Sequence, residues 1–328
     1  MKIRKLLLSL GVFLMTPAFC HAENNDISNV INNDINFSTR QYSLMLQQIG
    51  REGKVRIPKT IDKLGRVVYI PIDDWCSGFF PGSLCYLYQL TNDKSWLLQS
   101  KRFTEALDSI QYLTWHHDVG FMIGSSYLNI YRLNPNKAYK KTIIQTAKSL
   151  CTRFRKKAGV IQSWNVDRGW QSKRGWTCPV IIDNMMNLEL LFEATRLSGD
   201  STYWKVAVSH ANKTLENQFR KDGSCYHVVD YDPNNGAVLH RQTAQGYADN
   251  SAWARGQAWA VYGYTVCYRY THDRKYLDQA VKTLNFVMQN PNLPNDLIPY
   301  WDFDAPNIPN EPRDASSAAC IASALYEM

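Results

Sequence analysis

Two aspartates stand where a loop runs into an apolar, helix-patterned stretch: Asp118 in Trp115-His-His-Asp-Val-Gly-Phe-Met-Ile-Gly, and Asp183 in Pro179-Val-Ile-Ile-Asp-Asn-Met-Met-Asn-Leu. A lone carboxyl in such surroundings is costly to ionise, so the expectation for Asp183 is a raised pKa and the capacity to act as a general acid. The plainer account of both residues is helix capping, since Asp at a first turn is ordinary. Two carboxyls at the same end of neighbouring helices would share a pocket and push their pKa values apart, one keeping its proton.

The stretch Gln242–Tyr264 carries a second set of chemistry-bearing residues. Asp249, Asn250 or Ser251 can cap a helix, and that helix places Arg255 and Trp259 four residues apart on one face. A guanidinium beside an indole, with Gln245 in the approach loop and Gly256 permitting close approach, suits a polar ring bearing a negative group, as in a sugar acid. Trp75 and Trp164 lie in loops and His227 in a strand-like segment, each either filling a core edge or facing a sugar. His116, His117 and Asp118 could also begin a metal site, but no second ligand cluster has the spacing to complete one, and no metal is expected.

To bring these residues together the chain must be helical. About ten segments of helical periodicity begin near Phe37, Phe79, Ser95, Gly120, Lys137, Val180, Ser201, Ser251, Lys275 and Ala315. Segments 180–197 and 251–270 are apolar on nearly all sides, whereas 137–157, 201–219 and 275–289 are amphipathic. That alternation fits two concentric rings, inner helices touching neighbours all round and outer ones facing water, so the fold class expected is all-α, an (α/α) barrel. A β-hairpin is expected at Cys225–Asp230 against Ala237–His240. Five helix pairs are counted, and the last apolar segment ends at Met328 without a partner, which reads as a shortened C-terminus.

Composition narrows the rest. The first 22 residues have the charged, apolar and small-residue regions of a secretory signal, with cleavage expected after Ala22 and a periplasmic or secreted destination. Residues 23–36, rich in Asn and Asp, are expected to be flexible, leaving 37–328 as one catalytic domain. Beyond the signal no apolar run is long enough to cross a bilayer. The net charge of +8 is dispersed and densest at Arg153–Lys157, which suits a helix C-terminus and a mild attraction for anions rather than nucleic acid. Eight cysteines at irregular spacing read as core residues, with Cys76 and Cys85 an unforced pair.

Four motifs taken together, Asp74–Gly82, His116–Phe121, Ile181–Asn187 and Gln245–Trp259, resemble the unsaturated glucuronyl hydrolases, glycoside hydrolase family 88. The resemblance runs from about residue 37 to the end. It implies an (α/α)6 barrel, here short of its last helix pair, and no cofactor. It also implies a substrate left by polysaccharide lyases, an oligosaccharide ending in a 4,5-unsaturated uronic acid. By the same matching Asp183 is the general acid and base, Asp118 the acid that holds its proton state and orientation, and Trp75, Trp164, His227, Gln245, Arg255 and Trp259 fall on substrate-binding positions. Arg255 is assigned on physical grounds to the uronate carboxylate, which its forked donors suit. Asn250 departs from the acidic residue expected at its place. The related unsaturated rhamnogalacturonyl hydrolases, and a non-catalytic sugar-binding remnant, remain as alternatives.

Overall fold

Short connections and long ones alternate along the chain, and the alternation sorts the molecule into two ends. The computed structural model describes residues 17–50 and 55–328. Its helices are α1 (Pro17–Ile49), α2 (Phe79–Thr91), α3 (Lys94–Glu105), α4 (Asn129–Leu133), α5 (Lys137–Cys151), α6 (Leu188–Ser198), α7 (Ser201–Asn217), α8 (Ala254–Thr271), α9 (Arg274–Gln289) and α10 (Ala315–Glu327). A π-helical segment, Gly120–Leu128, runs into α4, and a 3₁₀ segment, Ile182–Asn187, runs into α6.

α2, the rod 120–133, the rod 182–198, α8 and α10 pack side by side in that order, and α1, α3, α5, α7 and α9 lie outside them. Each of the first four inner rods turns sharply into an outer helix. Asn92 and His272 take left-handed φ values of 56° and 55°, and Gly199 does the same at 79°, each followed by an Asp that caps the next helix. The returns from outer helix to inner rod are long: 106–119, 152–181, 218–253 and 290–314. Apart from Trp75, which lies just before α2, all chemistry proposed from sequence lies on these long returns or just after them. Among the described residues the ring is open between α10 and α2, with five inner rods present. The fold class is the (α/α) barrel expected from the alternation of helix character.

The strands are small. β1 (Ile57–Ile61) and β2 (Val67–Ile70) form an antiparallel hairpin, and β3 (Phe154–Arg155) pairs with β4 (Val160–Ile161). The expected hairpin is present as β6 (Val228–Tyr231) and β7 (Val238–Gln242), joined by β5 (Pro179–Ile181) into a three-stranded sheet ordered β5-β6-β7. β5 feeds directly into the turn that carries Asp183, so the sheet anchors that residue.

Residues 23–36, expected to be flexible, fall within α1; Ile27, Val30 and Ile31 follow helical spacing but stay exposed, and α1 meets the core only from Tyr42, Met45 and Leu46 onward. Two expectations need correction. α8 begins at Ala254 after Trp253, with no side-chain cap, because Asp249 and Ser251 are spent within the loop on Thr243 and Asp302. Cys76 and Cys85 are both free, Cys76 facing Asp74 and Cys85 facing Ser100. The secretory-signal reading of residues 1–22 falls largely on residues 1–16, which lie outside the described residues. No described helix is long and apolar enough to cross a membrane.

Candidate active site

Neither aspartate caps a helix. The Gly120–Leu128 segment and the Ile182–Asn187 turn start without a side-chain cap. The two aspartates line one cavity together with Trp75, Trp164, Ile181, Gln245 and Arg255. Six of the eight residues singled out from sequence therefore surround a single space. A wider cleft adjoins it, sharing Trp75, Asp118 and Trp164 and extending past Trp115, Asn165 and Arg168.

The other two, His227 and Trp259, do not line it but pack behind residues that do. His227 is buried, and its Nε2 is 3.5 Å from Asp183 Oδ2. Its Nδ1 accepts from the backbone N–H groups of Ala244 at 3.0 Å and Gln245 at 3.2 Å, which leaves the ring proton on Nε2, facing Asp183. The same pair of bonds pins the loop that carries Gln245. Trp259 is buried one turn beyond Arg255, edge-on to Phe121 at 5.3 Å, and its Nε1–H has no partner. Asp183 Oδ2 and His227 Nε2 are likewise buried without an aligned hydrogen bond. Of these, Asp183 belongs to the cavity lining, where an unspent carboxyl oxygen is what a polar ligand would satisfy.

Asp118 is held differently. Its Oδ1 is 3.1 Å from His117 Nε2 and its Oδ2 is 3.4 Å from His116 Nδ1. Burial pushes its carboxyl up, but His117, the nearby His116, whose Nδ1 accepts the Asp118 backbone N–H at 3.1 Å, and the charge of Arg153 outweigh it, and the group titrates below the usual carboxylate range. Burial holds His117 below the ordinary imidazole value despite the Asp118 charge. Asp118 is thus the standing negative charge of the site.

Arg255 does not lie over Trp259, as its spacing suggested. Its guanidinium stands over the Trp253 ring at 4.8 Å, with Nη1 donating to Asp314 and Nη2 3.4 Å from Gln245 Oε1. Close approach at Gly256 serves Trp253 as well: a Cβ there would lie 2.9 Å from the indole, so glycine makes room for an aromatic wall rather than for ligand. Trp253 and Asp314 were not found from sequence. Trp253 stood in the motif two residues before Arg255, but Asp314 gave only a cap signal ahead of α10. Among the described residues no cluster of three or more His, Cys, Asp or Glu is disposed to hold a metal ion, and the pair His116 and His117 is spent on Asp118.

A ring of paired helices with two carboxyls and several indoles at one cavity defines a carbohydrate-processing enzyme of the (α/α)-barrel type. The sequence profile of Glycosyl Hydrolase Family 88 matches residues 59–327, and the chain belongs to that family. An unsaturated glucuronyl hydrolase from Formosa agariphila is 46% identical over 278 residues, covering 84% of this chain and 68% of that protein. An unsaturated chondroitin disaccharide hydrolase from Streptococcus agalactiae is 31% identical over 300 residues, 84% of this chain and 74% of that one. The crystal structure of an unsaturated glucuronyl hydrolase specific for heparin superposes with a TM-score of 0.84 at 44% identity, covering 90% of this chain and 77% of that one.

Proposed function

We propose that the protein removes a terminal 4,5-unsaturated uronic acid from glycosaminoglycan-type oligosaccharides by hydrating the C4=C5 vinyl ether. The observation that carries this reading is the meeting of Asp118 and Asp183, from separate inner rods, in one indole-lined cavity with Arg255 and Gln245. Relatives named for unsaturated glucuronyl and chondroitin disaccharide hydrolysis support it.

In this mechanism Asp183 delivers a proton to C4 and then takes one from the water that adds at C5. Positive charge develops at C5 and on the ring oxygen as C4 is protonated, and the ionised Asp118 carboxylate sits in position to stabilise it. The resulting hemiketal opens to a 4-deoxy-5-keto uronic acid and the free remainder of the sugar. Because attack is not at the anomeric carbon, the spacing of the two carboxyls carries no information on retention or inversion. Trp75 and Trp164 flank the ring, Gln245 donates to it, His227 turns its Nε2–H to Asp183, and Arg255 offers Nη2 to the uronate carboxylate. The leaving sugar occupies the adjoining cleft past Trp115.

The deciding experiment follows the ultraviolet absorbance of the C4=C5 bond with unsaturated disaccharides from heparin, chondroitin and rhamnogalacturonan lyases. Loss of absorbance with the first two supports the reading; turnover of the third alone reassigns the substrate, and binding without loss leaves a sugar-binding protein. The N-terminal sequence further supports export with cleavage after Ala22, which N-terminal sequencing of exported protein would test.

A further inference from the structure

The motif Ile-Ile-Asp-Asn-Met-Met-Asn supplies Asp183 to the cavity, yet two other polar residues of the same turn, Asn184 and Asn187, are fully buried and reach no substrate space. We propose that Asn187 is a positioning residue for the reaction: through His117 it sets a neutral imidazole whose Nε2–H, not its lone pair, faces Asp118. The proposal rests on the reading of Asp118 and Asp183 as the working acids.

Each amide in the chain has only one sense. Asn187 Oδ1 accepts the backbone N–H of Phe121 at 3.2 Å, so its Nδ2 is the atom facing His117 Nδ1 at 3.3 Å and Asn184 Oδ1 at 3.2 Å. Asn184 in turn must present Oδ1 there, because its Nδ2 donates to the Ile161 carbonyl at 2.7 Å. An amide donor on Nδ1 makes that nitrogen an acceptor and puts the ring proton on Nε2, 3.1 Å from Asp118 Oδ1. The Nε2–H is not aligned for a full hydrogen bond, so the contact is one of proton facing carboxylate. His117 has no solvent exposure, so no water substitutes for a lost partner.

The chain also joins the two rods: Asn184 and Asn187 share a turn with Asp183, while Asp118 precedes the neighbouring rod. The two acids thus receive matching treatment, each facing the Nε2 of a histidine whose Nδ1 is occupied by N–H donors. A wrong tautomer at His117 would turn a lone pair on the Asp118 carboxylate, and a misplaced proton on an orienting group is costly to catalysis.

Two measurements on the full chain test this independently. With nitrogen-15-labelled histidine, His117 is assigned by the signal lost in His117→Gln. The expected spectrum is the neutral Nε2–H tautomer, unchanged from about pH 8 to pH 6, with the titratable groups Asp118, Asp183, His116 and His210 around it. An Nδ1–H tautomer, or titration in that window, overturns the proposal whatever the substrate proves to be. In the second, Asn187→Asp places an acceptor against Nδ1. With a lyase-derived disaccharide kcat should fall at least about tenfold with KM within about twofold, and the acidic limb of the rate profile, set by Asp118 with His116, His117 and Arg153 around it, should move. Likewise His117→Gln, whose amide keeps a donor near Asp118, should exceed His117→Leu by about tenfold. Unchanged profiles, or equal loss in both His117 variants, refute the positioning role; should Asn187→Asp not fold, the His117 pair and the spectrum decide. Total inactivity of the wild type on every disaccharide would strike the functional reading, leaving the spectrum to judge the tautomer.

Discussion

Arg255 and Asp314, 59 residues apart, form the ion pair that fixes the cationic corner of the cavity. Asp314 uses Oδ2 on the guanidinium and Oδ1 to cap α10 through the Ser317 N–H at 3.0 Å. One carboxylate thus starts an inner rod and aims a cation borne by the next. Asp314→Ala should raise KM for the unsaturated disaccharide about tenfold with a smaller effect on kcat, and cost about 1 kcal/mol of stability from the lost cap alone. Asp314→Asn separates the two roles, because an amide still caps. It should melt close to wild type while keeping the weakened KM; a normal KM in both variants would show that Arg255 needs no help.

The two acids should fail differently. In the proposed mechanism Asp183→Asn removes the group that moves protons, and it should lower kcat by about 10³ or more while substrate still binds, measured by calorimetry on the inactive variant. Asp118→Asn keeps the shape but removes the charge that His116, His117 and Arg153 hold in place. A drop in kcat with a flattened acidic limb is the expected signature. Near-native turnover of Asp183→Asn would remove it from the mechanism.

Helix positions were legible because their periodicity is local. Candidate starts at Phe79, Lys137, Ser201 and Ala315 coincide with helix starts, and Ser95, Gly120, Val180 and Lys275 fall within about two residues. All the cavity residues but Trp164 were legible as motif members, and each lies on a long loop entering an inner rod or in that rod's first turn. What escaped was everything settled by contact across the chain. That Arg255 would choose Trp253 and Asp314 over Trp259, that Asp249 and Ser251 would tie down a loop instead of capping α8, and that Asn187 would reach His117 are outcomes of packing between elements up to 70 residues apart. The β1–β2 hairpin escaped for the opposite reason, its strands being short with only two fully buried positions.

Gly120 is where the two acid-bearing rods touch. A Cβ at this position would stand 2.3 Å from Asn187 Oδ1 and 2.5 Å from Asn187 Cα, and the backbone contact leaves no side-chain escape. Gly120→Ala should therefore cost about 1–3 kcal/mol and reduce kcat, since the rods must part before the methyl fits. Gly124→Ala, one turn on, meets only Leu128 at 3.8 Å and serves as the control. Equal melting temperatures and rates for the two variants would show that the close approach is unimportant.

His210 of α7 predicts how the protein meets acid. Its Nδ1 accepts the Ile161 N–H at 3.0 Å in a fully buried setting, and burial lowers its pKa from 6.5 to about 3. The unfolded chain takes up a proton as pH falls through 6.5 while the folded one does not, so stability rises with pH between about 3 and 6.5 and is complete above it. The contribution is on the order of 4 kcal/mol across that window, and His117, shifted the same way by burial, adds to it. His210→Asn can keep the acceptor for Ile161 without a titrating ring. Urea midpoints should therefore fall steeply from pH 7 to pH 4 in the wild type and less steeply in the variant. Because the Ile161 carbonyl also receives Asn184, protonation of His210 would disturb the strand on which the Asn184–Asn187–His117 chain hangs, so acid should loosen the active site along with the fold. Parallel pH profiles for the two proteins would assign the acid sensitivity to other groups.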